Sequence, residues 1–219
     1  MRSLNDSDRV AAVAHSAAFQ RFGVLAEGVE ETDWFLQACA DAISPGRPLT
    51  PDDVLSVFDE LSYYEPNLDR SEVAPNLSRI ELEFEGDLDD VMRSLDLLIE
   101  LIQPDVKVTT ELVADRLQLE VGRASATVEM GSILSDGSVN GYYVAAYVAL
   151  AELYRRNKTG FRLAIMASDF SGYVVRIPEG SVDELNAELG LGSSDYNQLV
   201  WLDLPENDLD DMSSVTFEE

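Results

Sequence analysis

The chain of 219 residues has one cysteine, one histidine and only two lysines, and each scarcity closes off a kind of chemistry. A lone Cys39 makes no intramolecular disulfide, so no covalent framework supports the fold. Zinc sites need more His and Cys ligands than one of each, which excludes their usual forms within a single chain. Nucleophilic catalysis needs a base beside its nucleophile. The sole imidazole, His15, lies in an Ala-rich stretch, and no Gly-x-Ser-x-Gly elbow occurs. A His15–Cys39 pair is the one arrangement of that type left, and Cys39 stands among apolar neighbours, where inert packing is the common outcome for a thiol. Phosphate cradles are missing too. There is no Gly-x-x-x-x-Gly-Lys-Ser/Thr, and Gly190-x-Gly192 lacks the third glycine and the preceding strand of a dinucleotide fingerprint.

Long apolar runs are also lacking. The longest nearly uncharged stretch, from Gly137 to Glu152, is too short and too rich in Tyr and Gly to span a bilayer. No basic flank, apolar run and small-residue cleavage site opens the chain, and no lipid-anchor motif occurs. The expectation is a soluble, cytoplasmic protein with no membrane association and no cofactor.

Positive charge is the scarcest commodity. Against 42 acids stand 15 bases, for a formal net charge of -27 and an isoelectric point near 4.1. Neutralising phosphates requires clustered Lys and Arg, so direct binding to nucleic acid or to anionic lipid is not expected. Two readings of the acidity remain. One is adaptation to a salty solvent, where the Debye length falls to about 3 Å in 1 M salt and self-repulsion is screened. The other is a carboxylate surface that steers and orients a basic partner. Two regions carry the excess most purely: Phe22 to Ser78 has twelve acids against Arg47 and Arg70, and beyond Arg176 there are twelve acids and no base.

What is present is enough for a globular core, since 46% of residues are hydrophobic and 18 are aromatic. The N-terminal third reads as helical. Asn5 to Ser7 offer caps ahead of an apolar run from Val10 to Phe22, and Thr32 or Asp33 caps a segment through Trp34, Phe35, Ala38 and Ile43 that Ser44-Pro45-Gly46 stops. Thr50-Pro51-Asp52-Asp53 supplies a cap, a proline at the first helical position and acids in the first turn, which predicts a helix through Val54, Leu55, Phe58 and Leu61. A polar stretch from Ser62 to Asn76 marks a boundary there.

Beyond it the period changes to two: Ile80, Leu82 and Phe84 alternate with Arg79, Glu81, Glu83 and Glu85. Asp87 caps a helix striped by Leu88, Val91, Leu95, Leu98 and Ile102, and a strand from Val106 to Thr110 follows. Leu117, Leu119 and Val121, then Ala124, Ala126 and Val128, flank Gly122-Arg123, which suits a type II′ hairpin. Tyr142 to Tyr154 reads as a buried helix, with a strand as the alternative. Phe161 to Ala167 and Tyr173 to Ile177 form a second hairpin, Ser181-x-x-Glu184 is a capping box, and Leu199 to Leu204 supplies a last strand. The expected architecture is α+β with a largely antiparallel sheet, packed helices and a helical region over 1–76; the core covers 77–204, and 205–219 forms an acidic, frayed tail.

Several clusters compete as sites. Glu81, Glu83 and Glu85 share one strand face at a spacing of roughly 7 Å. They read either as a solvated face or as a docking surface for Lys and Arg. Paired carboxylates that hydrolyse glycosides need a cleft and two different environments, which one exposed face does not supply. Asp52 and Asp53 add to the acidic region before the boundary. Asp87-Leu88-Asp89-Asp90 and Asp208-Leu209-Asp210-Asp211 are rich in oxygen ligands but lack the glycine and distal Glu of a calcium loop, so no metal site is assigned. Tyr143, Tyr147 and Tyr154 fall near one helix face, as core or as interface anchors. Arg155, Arg156, Lys158 and Arg162 form the dense basic cluster, read as helix-end capping and as balance for nearby acids.

The expectation drawn from these residues is a non-catalytic binding protein that occludes a basic protein partner, as an inhibitor or immunity protein does, through Glu81, Glu83, Glu85, Asp52, Asp53, Tyr143 and Tyr147. A salt-adapted domain or assembly subunit, a homo-oligomer included, is the alternative. A carboxylate-dependent hydrolase using a divalent metal is the third.

Overall fold

The computed structural model describes residues 3–43, 46–82, 88–113, 116–129, 140–167, 171–192, 198–203 and 215–218, without the side chains of 81, 88–90 and 140–144. It is an α+β protein. The described residues include eight α-helices and two antiparallel sheets of four strands each. They fall into two compact units, residues 1–77 with 180–198, and residues 78–179 with 199–219.

The first unit is helical because its caps and apolar spacings are local and strong. In α1 (Asp6–Arg21) the Asn5 side chain accepts the Asp8 N–H at 2.9 Å, and Ala12, Ser16 and Phe19 line the buried face at helical spacing. Thr32 caps α2 (Asp33–Ala42) by accepting from Phe35 N, which sets Phe35, Ala38 and Cys39 inward. α3 (Pro51–Ser56) opens with a complete capping box: Thr50 accepts from Asp53 N, and Asp53 accepts from Thr50 N at 2.8 Å. The helix expected to run on to Leu61 stops at Ser56 instead. Phe58 N and Asp59 N bond back to the carbonyls of Leu55 and Ser56, a tight turn that sets Phe58 against the rings of Trp34 and Phe35. A single-turn α4 (Leu61–Tyr64) and α5 (Arg70–Val73) follow.

Residues 180–198 add α8 (Val182–Glu188) to this unit, where Arg21 of α1 bridges to Glu184 and Glu188. The capping box expected at Ser181 does not form. Ser181 has helical dihedrals, φ -94° and ψ -5°, rather than the extended ones that aim a cap oxygen at the first turn, and it makes no side-chain cap bond.

The second unit begins one residue into β1 (Leu77–Glu81), and the first sheet has strand order β1-β6-β5-β7, with β5 (Phe161–Ala167), β6 (Ser171–Pro178) and β7 (Leu199–Trp201). The second has order β2-β3-β4-β8, from β2 (Val108–Val113), β3 (Arg116–Val121), β4 (Ala124–Glu129) and β8 (Val215–Glu218). The strand β8 corrects the expectation of a frayed tail. Val215 to Glu218 pair with Val128 to Ser125 of β4 and finish the sheet. Phe84 lies outside the described residues, as do 204–214.

Tyr142 to Tyr154 is indeed helical, within α7 (Asn140–Arg156), and every side chain from Ala145 to Tyr154 is buried. A helix buried all round needs cover on every side. α7 packs on β3, β4 and β8 of one sheet, on β5 of the other, and on α6 (Leu88–Ile102). Leu117, Leu119, Val121, Ala126 and Val128 form the sheet face that meets it. At the β3–β4 hairpin Gly122 has φ +62° and Arg123 does not have positive φ, which is the type II′ signature.

Arginine is spent inside this unit. Arg162 Nε donates to Asp203 at 2.9 Å while its guanidinium lies 4.1 Å over the Trp201 ring. Arg176 chelates Asp105 at 2.7 and 2.6 Å, donates to the Tyr154 hydroxyl at 3.1 Å and stacks 4.2 Å over Phe161. Arg155 and Arg156 both bond Glu152, and Arg156 covers Phe217 at 4.4 Å. Each of these guanidiniums except that of Arg155 is held between a carboxylate and an aromatic face.

Candidate functional site

Because side chains alternate along a strand, the second sheet has one face on α7 and one toward solvent. Strand register sets the solvent side in rows. Thr109, Glu120, Ser125 and Glu218 form one row across the four strands, Glu111, Gln118, Thr127 and Thr216 a second, and Val113, Arg116 and Glu129 a third. The result is a solvent-facing surface that carries four glutamates and one arginine, with Val113 at its end. Arg116 is already committed, its Nη2 lying 3.2 Å from Glu129. Among the described residues no cation bridges Glu111, Glu120 or Glu218; Glu120 accepts only the Thr109 hydroxyl at 2.9 Å. Neighbouring strands lie about 4.8 Å apart, so Glu120 and Glu218, two strands apart, stand close to a Debye length at physiological salt.

Thr109, Thr110, Glu111, Gln118 and Glu120 line an open depression of about 250 Å³ on this face. That is below the roughly 300–1,000 Å³ usual for small-molecule sites, and its lining is polar where such sites are mostly apolar. The glutamates here sit in one common, solvated environment. Ionised, their oxygens accept hydrogen bonds and attract positive charge.

The residues singled out from sequence fare differently. Glu81 ends β1 in the other sheet, and its side chain, Glu83 and Glu85 all lie outside the described residues. Asp52 sits half-buried in the first turn of α3. Asp53 is 4% exposed and is held by Arg47, Thr50 and the cap geometry, so it is a structural carboxylate with no capacity left for a partner. Tyr147 is 1% exposed and belongs to the core, because its helix is covered on all sides. The side chain of Tyr143, on the first turns of the same helix, lies outside the described residues.

Of the basic cluster, Arg155, Arg156 and Arg162 balance Glu152 and Asp203. Of the two aspartate tetrads, 87 and 208–211 lie outside the described residues, and the described residues hold no group of three His, Cys, Asp or Glu placed to bind a metal ion. Around His15 and Cys39, burial disfavours the thiolate–imidazolium pair that a cysteine nucleophile uses. Burial pushes the Cys39 thiol up to about 12, and burial lowers the His15 imidazole, so both are neutral. The Tyr154 phenol is also held protonated, by burial first and by its bond to Asp105 second.

The strand that the sequence predicts from Val106 to Thr110 ends before Glu111, and none is predicted around Glu218, whereas the structure has strands over Val108–Val113 and Val215–Glu218. Alternation at Gln118 and Glu120 was legible, but only pairing places four strands' glutamates on one surface. No helix among the described residues is long and apolar enough to cross a membrane. Compared with protein-family models, curated proteins and solved structures, the chain matches none.

Proposed function

We propose that the chain is a non-catalytic binding protein that docks a basic protein partner on the open face of its second sheet. One observation carries this reading: Glu111, Glu120 and Glu218 face solvent with no cation bridging them among the described residues, while Arg116, the one arginine in their rows, is already committed to Glu129. A partner bringing Lys or Arg supplies the missing counter-charge, speeds encounter and fixes orientation. An inhibitor or immunity protein that covers the basic site of its target is the role that fits such chemistry.

The test compares two triple variants that remove equal charge. Glu111→Gln/Glu120→Gln/Glu218→Gln strips the sheet face, and Glu27→Gln/Glu65→Gln/Glu72→Gln strips exposed acids of the first unit. Calorimetric titration with an oligo-arginine peptide at low salt is expected to weaken at least about tenfold for the face variant, given about 0.5–1 kcal/mol per exposed pair, and about twofold or less for the control. A basic protein captured from lysate of the source organism by the native and control chains, but not by the face variant, is the expected cellular counterpart. Equal loss in both variants would sink the reading.

A second reading has its own observation. The first unit holds 18 acids and 5 bases and the second 24 and 10, net -13 and -14, so the acidity is spread rather than gathered. Solvent adaptation predicts that spread. It also predicts unfolding at low salt with recovery in molar KCl.

A further inference from the structure

We infer that the exposed edge strand β2 is a strand-addition site for an extended segment in which cationic and apolar residues alternate. This rests on the docking reading above and names the mode of docking.

Edge strands present a row of unpaired N–H and C=O groups, and proteins normally blunt them by burial, by shortening, or with Lys and Pro. Four edges exist among the described strands. In the first sheet, Leu77, Ser78 and Ile80 of β1 and Leu199 and Trp201 of β7 are buried. In the second, β8 has four residues, and its Phe217 lies under the Arg156 guanidinium. β2 is different. It has six residues, Val108–Val113, with no Lys or Pro, and Thr109, Glu111, Leu112 and Val113 are exposed.

Alternation then specifies the occupant. Leu112 lies in the inward row with Leu117 and Val128, yet it is 37% exposed, since among the described residues no strand continues the sheet beyond it. An added strand places an apolar side chain beside Leu112 and, one residue along, a side chain facing outward beside Glu111. That neighbour must be Lys or Arg, since opposite charges stabilise adjacent strand positions and like charges destabilise them. The polar depression at Thr109, Glu111 and Glu120 receives its long stem. Glu111 is the only charge on the strand, and with a net charge of -27 it turns away a second copy of this chain while admitting a cation. Backbone hydrogen bonds give affinity in this mode, and the alternate side chains give specificity.

The test leaves the protein unaltered, so folding is not in question. A peptide alternating arginine and valine, matched in length to β2, is titrated at low salt beside the same peptide N-methylated at alternate backbone nitrogens. Amide hydrogen exchange is followed over 108–113. The unmodified peptide should bind on the order of tenfold or more tightly than the methylated one, since two or three main-chain hydrogen bonds are lost, and it should protect amides of β2 and of no other edge. Equal binding of both peptides, or protection elsewhere, overturns strand addition and leaves charge-based docking standing. Binding of neither overturns both. Protection of β2 that grows with protein concentration alone makes the occupant a second copy, and overturns the proposal as well.

Discussion

Replacing Asp203 by Leu leaves the Arg162 guanidinium in a site built for a pair. Asp203 is fully buried and Arg162 is 9% exposed, its Nε 2.9 Å from Asp203 and its plane on Trp201. Two unit charges about 4 Å apart attract by about 4 kcal/mol at an effective dielectric near 20, and removing one member of a buried pair generally costs about 3–5 kcal/mol. The loss expected for Asp203→Leu is therefore about 4 kcal/mol. With a urea dependence of about 2 kcal/mol per molar, the unfolding midpoint falls by about 2 M. The chain has two tryptophans, Trp34 in the first unit and Trp201 in the second, so a Trp34→Phe background makes fluorescence report on the second unit. The companion variant Arg162→Met/Asp203→Leu removes both charges. Because it avoids desolvating an unpaired ion, it should recover to within about 1 kcal/mol of the parent. A midpoint shift under about 0.5 M for the single variant, or a double variant no better than the single, would refute the account of Arg162 as a buried, paired ion.

Three further expectations are independent of that pair. A Cβ at Gly122 would meet Asn157 Oδ1 at 2.1 Å in a backbone with φ +62°, and would disturb the Asn157 bonds to the carbonyls of Val121 and Leu153; Gly122→Ala should cost about 2 kcal/mol by urea unfolding. With the Cys39 thiol pushed up to about 12 by burial, alkylation by iodoacetamide at pH 8 should be on the order of a thousandfold slower in the folded chain than in urea. Burial alone would raise the Glu152 carboxyl, but bonds from Arg155 and Arg156 outweigh it and hold the group below its usual range. A depressed folded value gives stability that is present above the unfolded pKa, about 4.3, and is lost as pH falls through the folded one. The gap between parent and Glu152→Gln in urea unfolding should therefore be full near pH 6 and shrink below pH about 4.

The sequence by itself settled what depends on near neighbours. Asn5, Thr32 and Thr50 announce helix starts because a cap bonds a backbone N–H two or three residues on. Leu117, Leu119 and Val121 announce a half-buried strand, and Gly122 its turn, because pleat and turn chemistry are local. The α+β class follows from such signals. The tertiary structure decided whatever joins distant residues. It brought β8 to β4, added 180–198 to the first unit, and made two ion pairs across 41 and 71 residues, Arg162 with Asp203 and Arg176 with Asp105. The same holds for the candidate surface. The glutamates at 111, 120 and 218 sit on three strands, and only strand pairing, a cooperative and non-local choice, puts them on one face. The carboxylates most prominent in sequence illustrate the converse: Asp53 is drawn into a cap and an arginine clamp, because a short acidic cluster at a helix start is satisfied locally before any partner can reach it.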